Sequence, residues 1–265
     1  MKVLVAGATG AVGRHAVQQL LAAGHFVRAL SCRPEPPAGP GSQEPHAAEL
    51  TETITLAGSC AGIDAVIACA GASLHIGAIR QRAGFLHVDL QGNRNLLAEA
   101  RRSGVRRFIY VSEDIRAHER ISEEVATSGI PSAMIRPTRL FSACARWLPW
   151  ARAGFVPLLG SGAERTNPIH EAEVARACVE ALSGGAERRT IGGPEIFTRH
   201  RLAEMAFDAL GKPPRLLVVP PALLEFGCSV TRTDVIAPSY GTLRLGDYLR
   251  ALTAVAGSAP SFWRR

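Results

Sequence analysis

Three glycines near the start of the chain carry its most specific chemical signal. In VLVAGATGAVGRH, Gly7, Gly10 and Gly13 stand three residues apart, between an apolar run and a segment of helical period. Gly7 can make a tight turn, Gly10 lets a pyrophosphate approach the backbone, and Gly13 lets the helix pack closely on the strand. The helix start at Ala11 and Val12 then offers unpaired N–H groups and a positive dipole end to phosphates. The strand–turn–helix context is the one this chemistry needs, so the expected ligand is a dinucleotide. The bland alternative is a set of glycines serving only a tight turn.

The end of the second strand decides which dinucleotide. An NAD site usually holds an acidic residue there for the ribose 2′-hydroxyl. This chain has RALSCRP, with Ser31, Cys32 and Arg33 in that place and Glu35 only later, between two prolines. Arg33 can pair with a 2′-phosphate through bidentate hydrogen bonds, and Arg14 is a candidate second contact. The alternative for both is a solvated surface arginine. The expectation is NADP(H) in preference to NAD(H).

These residues need a scaffold, and the hydrophobic pattern supplies one. KVLVAG reads as a strand buried on both faces, AVGRHAVQQLLAAG as a helix stopped by Gly24, and FVRALS as a second strand. Residues 32–48 are rich in proline and glycine and read as a loop, with a weak strand pattern near the end. ELTETITLAGSCAG reads as a short helix, DAVIACAG as a strand, AGFLHVDLQGNRNLLAEARRSG as a helix and RRFIYVS as a strand. DIRAHERISEEVATSG reads as a polar helix and PSAMIRPT as a strand ending at Pro137. This alternation predicts an α/β fold, a Rossmann-type doubly wound parallel sheet over residues 1–140. Residues 141–265 are expected to form a smaller substrate-binding lobe with connecting elements, in one continuous structural unit. Within them FSACARWLPWARAG is broken at Pro149, EAEVARACVEALS and RHRLAEMAFDALG read as helices, RRTIGGPEIFT as a turn-rich strand pair and PRLLVVPP as a strand.

Composition narrows the class. A hydrophobic content of 47% and a charged content of 20% are those of an ordinary globular protein. The net charge is +7, but the arginines are scattered without a dense run, so nucleic acid is not an expected partner. The six cysteines include no close C-x-x-C pair, which argues against a zinc site or a disulfide framework, and no metal is expected. The start MKVLVAGATG enters a strand directly, with no signal-peptide apolar core, and no apolar run reaches membrane-spanning length. A cytoplasmic location with reduced thiols, away from membranes, is the expectation.

An ordered set of phrases resembles a family. GATGAVGR, DAVIACAG, VDLQGNRNLLAEARRSGVRRFIYVS, SGIPSAMIRPTRLFS, NPIHEAEVARACVEAL and IGGPEIFTRHRLAEMAF resemble the atypical short-chain dehydrogenase/reductases, the NmrA-like or NAD(P)H-binding group. VIAPSYGTLRLGDYLR is similar to the C-terminal segment of one bacterial subgroup. The resemblance implies a Rossmann-type sheet with substrate between it and a C-terminal lobe. It implies that Thr9 and the glycines contact the pyrophosphate, and that Glu49 and Leu50 lie near the adenine. It further implies Cys69, Ala70 and Gly71 beside the ribose and nicotinamide, Ser112 at the end of the serine-bearing strand, and Pro137 and Thr138 near the nicotinamide. His170 is a position of structural rather than catalytic type in that family.

One departure bears on catalysis. Ordinary members of that superfamily protonate the substrate with a tyrosine whose pKa is lowered by a lysine four residues on. Here the tyrosines are Tyr110, inside a strand, and Tyr240 and Tyr248 near the C-terminus, and no lysine lies between Lys2 and Lys212. In AHERISEEVATSG, His118 falls where the atypical subgroup commonly has a lysine. His118 is a candidate proton donor, as is Ser112; a solvent-facing helix histidine is the alternative. Glu113 and Asp114 read as charges favoured at a helix N-terminus. Phe141, Trp147, Trp150 and Phe155 can line a pocket for a flat apolar ligand or pack the lobe.

Three functions stay open. The leading one is NADP(H)-dependent reduction of a small, largely apolar carbonyl, quinone or enone, without the Tyr/Lys pair. The second is an NADP(H)-binding sensor that regulates a partner protein. The third is a biosynthetic enzyme using the nucleotide as scaffold or recycled hydride carrier. The expected partner is a small aromatic or quinonoid substrate, with a homodimer or a regulated protein as candidates at the macromolecular level.

Overall fold

The strand KVLVA becomes β1 (Lys2–Ala6), in which Val3, Leu4, Val5 and Ala6 are all completely buried. A strand with no polar alternation must be covered on both faces, and the first half of the chain provides the covers. A computed structural model describes residues 1–33, 42–70, 87–112, 116–184, 187–219 and 235–255. The chain divides into two units, Met1–Pro137 with Glu171–Thr190, and Thr138–His170 with Ile191–Arg265.

The first unit contains α1 (Ala11–Ala22), β2 (Phe26–Ser31), β3 (Gln43–Ala47), the short α2 (Thr53–Leu56) and β4 (Ala65–Ala68). A π-helical turn, His87–Gly92, leads into α3 (Asn93–Arg102), followed by β5 (Arg107–Val111), α4 (Arg116–Ala126) and β6 (Ser132–Pro137). The seven-stranded sheet has the order β3-β2-β1-β4-β5-β6-β9, where β9 is Glu187–Ile191. The pairings from β3 through β6 are all parallel, with Val3 beside Val27 on one side and Ala65 on the other. This is the doubly wound Rossmann-like α/β fold, and its strand order reverses between β1 and β4.

Three expectations change. The loop over residues 32–48 contains β3, which pairs with β2 in register from Val27–Gln43 to Ser31–Ala47. Its sequence, QEPHA, hides it, because Pro45 contradicts a central strand; β3 is the sheet's edge strand, where proline is tolerated. RRTIGGPEIFT does not form a strand pair: β9 joins the large sheet, and β10 (Phe197–Thr198) pairs antiparallel with β8 (Arg165–Thr166). Residues 171–190 lie inside the stretch expected to form the lobe but belong to the first unit. Their helix α7 (Glu171–Glu180) packs on α1. Gln19 donates to the Ala172 carbonyl at 2.8 Å, and the buried Arg107 guanidinium donates twice to the Ala181 carbonyl, at 3.0 and 2.6 Å. Neither tie is visible as a local pattern, because the partners are 153 and 74 residues apart.

The second unit holds α5 (Phe141–Ala145), α6 (Leu148–Ala153), α8 (Arg199–Asp208) and α9 (Leu245–Val255), with β7 (Val156–Leu159) parallel to β11 (Leu216–Val219). Pro149 sits in the first turn of α6, where its missing N–H costs nothing. Phe141, Leu148, Val156, Leu202, Phe207 and Leu245 form its core. Asn167 knots it: its amide donates to the Gly193 and Ala237 carbonyls, both at 2.9 Å, and its oxygen accepts from the Ala237 N–H at 3.0 Å.

Candidate functional site

Ligands of open α/β sheets sit at the carboxyl ends of the strands, at the point where the strand order reverses. At that point lies a groove of about 360 Å³, whose walls are the residues after β1, β2, β3 and β4. Gly7 leaves β1 with φ of +80°. The N–H groups of Gly7 and Ala8 both donate to the Leu30 carbonyl, at 2.9 and 3.1 Å, which ties the turn to the end of β2. A Cβ on Gly7 would lie 2.7 Å from the Ala70 Cα, and one on Gly13 would lie 2.0 Å from the Gly7 carbonyl oxygen. Both positions therefore require glycine. Gly10 precedes α1 with no side-chain cap, and the first turn of α1 has no acidic residue. The N–H groups at that end have no intrahelical acceptor. Thr9 and Gly10 line the groove, so its floor is a cradle for an anion. Ala11 and Val12 open α1, and Arg14 is exposed one turn in.

The far end of the groove is built from β2 and β3. Ser31 ends β2 only 7% exposed, and its hydroxyl has no hydrogen-bond partner among the described residues. The Cys32 thiol donates to Glu49 at 3.0 Å, and the Thr51 hydroxyl donates to the other Glu49 oxygen at 3.2 Å. The Cys32 bond, followed by the Thr51 bond, holds the Glu49 carboxyl below the usual carboxylate range. Burial and then the neighbouring Glu49 push the Cys32 thiol up. Arg33 is exposed and lines the same groove. Leu50 is fixed from outside: Asn95 donates to its carbonyl at 2.9 Å, and Gly92 admits it so closely that a Cβ there would lie 2.9 Å from the Leu50 Cβ.

Cys69 follows β4. Its backbone N–H and its thiol both donate to the Ala6 carbonyl, at 3.1 and 3.2 Å, and burial pushes its pKa up to about 12. Ala70 completes the lining. Gly71, Glu113, Asp114 and the His118 side chain lie outside the described residues; the His118 backbone is part of α4.

Not every expected residue reaches this groove. Ser112 follows β5 fully buried, and its hydroxyl accepts from Ser122 at 3.3 Å. Tyr110 is fully buried within β5. Pro137 ends β6, and Thr138 opens the second unit with its hydroxyl donating to the Asn167 carbonyl at 2.6 Å. Phe141, 1% exposed, belongs to the second unit's core; the His170 ring stands nearly perpendicular to it at 5.5 Å and the Tyr248 ring tilted to it at 5.4 Å. Trp147 and Trp150 pack against that core, and Trp150 meets the exposed Phe155 edge to face at 5.4 Å. Phe141, Trp147 and Trp150 thus pack the second unit's core, one of the two roles the sequence leaves open for them. Ser31 and Cys32, which the sequence places at the end of the second strand, line the groove, and so do Leu30 and Ala48, which it did not single out; their only sequence signal is that each stands at or beside the end of a strand. No metal-binding cluster is present among the described residues, and no described helix is long and apolar enough to cross a membrane.

The geometry defines a Rossmann-like chain with a glycine turn and an open groove at its reversal point. The family model for the NAD dependent epimerase/dehydratase family matches residues 3–114, the part of the chain that holds this groove. Over 109 residues the chain is 36% identical to the NADH dehydrogenase (ubiquinone) 1 alpha subcomplex subunit 9 of Arabidopsis thaliana; this covers 37% of the chain and 27% of that protein. Over 251 residues it is 29% identical to the (4-alkanoyl-5-oxo-2,5-dihydrofuran-3-yl)methyl phosphate reductase of Streptomyces griseus, covering 89% of the chain and 80% of that enzyme. Among solved structures, the dTDP-glucose 4,6-dehydratase DesIV of Streptomyces venezuelae, crystallised with NAD, superposes with a TM-score of 0.76 at 21% identity, over 99% of each chain.

Proposed function

We propose that this chain is a nicotinamide-dinucleotide-dependent reductase of the atypical, NmrA-like short-chain type. The observation that carries the reading is the groove at the reversal point, whose Gly7 and Gly13 leave room for nothing but backbone. The residues fit a dinucleotide: the uncapped α1 start faces the pyrophosphate, Leu50 and Glu49 border the adenosine end, and Ala70 the nicotinamide side. NADP(H) is preferred over NAD(H), because Arg33 lines the groove and no acidic residue ends β2. A bound nicotinamide supplies a hydride; the chain's task is to hold it, exclude water and deliver a proton.

The substrate is a small, largely apolar carbonyl, quinone or enone. The S. griseus relative supports the enone class, since its named substrate carries a 5-oxo group and an alkanoyl group on a dihydrofuran ring; that substrate also carries a methyl phosphate, which the apolar class does not include. Such a ring double bond is activated by two carbonyls, and the enolate left when hydride adds to it disperses the negative charge over both before a proton completes the reduction. It therefore needs less help from an acid than a simple ketone does. That suits a chain whose Tyr110 is sealed in the core. His118 or water delivers the proton, and the buried Ser112 steadies the end of β5. The work is done in the cytoplasm, consistent with five described cysteines outside any disulfide.

A screen of NADPH oxidation over enones, quinones and aromatic ketones tests this. Turnover with an enone, reduced in His118→Ala, is the expected result. Binding of NADPH without turnover on any of these classes would favour the second reading, a redox sensor, which the sealed Tyr110 also suits.

A further inference from the structure

The carboxyl end of the sheet carries a cation that the fold itself does not use. Arg136 stands at the next-to-last position of β6, half-buried. Its Nε is buried without a hydrogen-bond partner, and no carboxylate pairs with its guanidinium among the described residues. Met134 and Tyr110 belong to the core cluster that also takes in Leu96 of α3 and Ile121 of α4. Arg136 and Ser112, each two residues further on, therefore lie on that same face of the sheet. They are neighbours, one rung beyond the pair Val111–Ile135. From the adjacent strand β9, the exposed Arg188 donates to the Met134 sulfur at 3.8 Å, which brings a second cation to this face. The acids of the adjoining elements are engaged elsewhere: Glu124 of α4 accepts from Arg94 at 2.8 Å, and Glu187 of β9 from Arg189 at 3.4 Å. Glu119 and Glu123 of α4 are exposed.

We propose that Arg136 is a substrate-binding residue whose guanidinium holds an acidic group, a phosphate or a carboxylate, on the compound that the chain reduces, with Arg188 as a second positive charge. This rests on the reductase reading above and deepens it: the substrate is a carbonyl compound with an apolar body and one acidic substituent. A guanidinium is always charged and has five N–H donors in a planar fork but no acceptor. An inner N–H left buried and unpaired costs stability, and the partner that matches the fork is an oxyanion taken two donors at a time. Ligands of such sheets sit beyond the carboxyl ends of the strands, where Arg136 stands. β6 is three strands from β1, about 14 Å at the ordinary strand spacing, and β2 lies one strand further. The anion at Arg136 is therefore distinct from the phosphates of a dinucleotide held at the turn after β1.

The test has a binding arm and a turnover arm, both on the full chain in excess NADPH. In the first, inorganic phosphate and acetate are titrated by calorimetry into the parent, Arg136→Gln, Arg136→Lys and Arg189→Gln. The parent should bind at least one of the two, and the better one names the acidic group. Arg136→Gln should weaken it about 10-fold or more, the loss of hydrogen bonds to a charged group. Arg136→Lys should recover part of that loss, since it keeps the charge but not the fork. Arg189→Gln, on the opposite face of β9, should bind like the parent. In the second arm, two enones that differ in a single phosphomethyl or carboxymethyl group are compared. Arg136→Gln should lower the ratio of kcat/KM for the acidic over the uncharged compound about 10-fold, mainly through KM. A parent that binds neither anion, equal affinities in Arg136→Gln and the parent, or an unchanged ratio would overturn the proposal. Anion binding that is lost in Arg136→Gln, without NADPH oxidation on any enone, would overturn the reductase reading and support the anion site.

Discussion

A side chain at residue 13 has nowhere to go, since its Cβ would lie 2.0 Å from the Gly7 oxygen. Gly13→Ala should cost about 1–3 kcal/mol or more in denaturant unfolding and remove dinucleotide binding, because the turn must shift to relieve the contact. Gly10→Ala should be milder, as its Cβ would meet the Gly7 oxygen at 3.0 Å. Arg33→Ala should weaken NADPH roughly 10-fold and NADH by less than about twofold, as measured by titration, the effect of one exposed charge-assisted contact. The Cys69 thiol supplies a pH test. Its pKa rises from 9.0 to about 12 on folding, so above pH 9 the unfolded chain releases a proton that the folded chain keeps. Stability is therefore fully present below pH 9 and falls as pH rises toward 12, and Cys69→Ala should flatten that slope in pH-dependent melting. The glycines were legible in the sequence because their spacing encodes a backbone path. The burial of the Ser31 hydroxyl without a partner among the described residues was not, because burial follows from the fold. Nor was the Cys32–Glu49 bond, whose partners are 17 residues apart.

Among the elements, the parallel strands β1, β2, β4, β5 and β6 were legible as apolar runs, each bounded by turn residues. The edge strand β3 was not, since Pro45 and its half-exposed neighbours erase the strand signal that a covered position would show. The helix Asn93–Arg102 was legible, but its π-helical start, His87–Gly92, was not, and that start places Gly92 under Leu50. The placement of α7 was also hidden: its sequence says helix, but only the ties from Gln19 and Arg107 say which unit it joins. In the second unit, Asn167 replaces a longer run of secondary structure by joining three segments. Asn167→Ala removes three buried hydrogen bonds and should lower unfolding stability by about 3 kcal/mol, whereas a change at the exposed Arg165 should stay within about 0.5 kcal/mol.

For the whole molecule, the sequence reading reached the fold class but left the aromatic residues open between a pocket and a core. Phe141, Trp147 and Trp150 bury the second unit's core; aromatic side chains answer equally to a ligand or to a core, and spacing alone does not separate the two. The account as a whole stands on the groove after β1, β2, β3 and β4. The measurement that reaches it most directly is a calorimetric titration of the full chain and of Gly13→Val with NADPH and NADH. Binding of one nucleotide per chain, tighter for NADPH and absent in Gly13→Val, is the predicted result. No binding of either nucleotide by the parent, or equal binding by folded Gly13→Val, would contradict it.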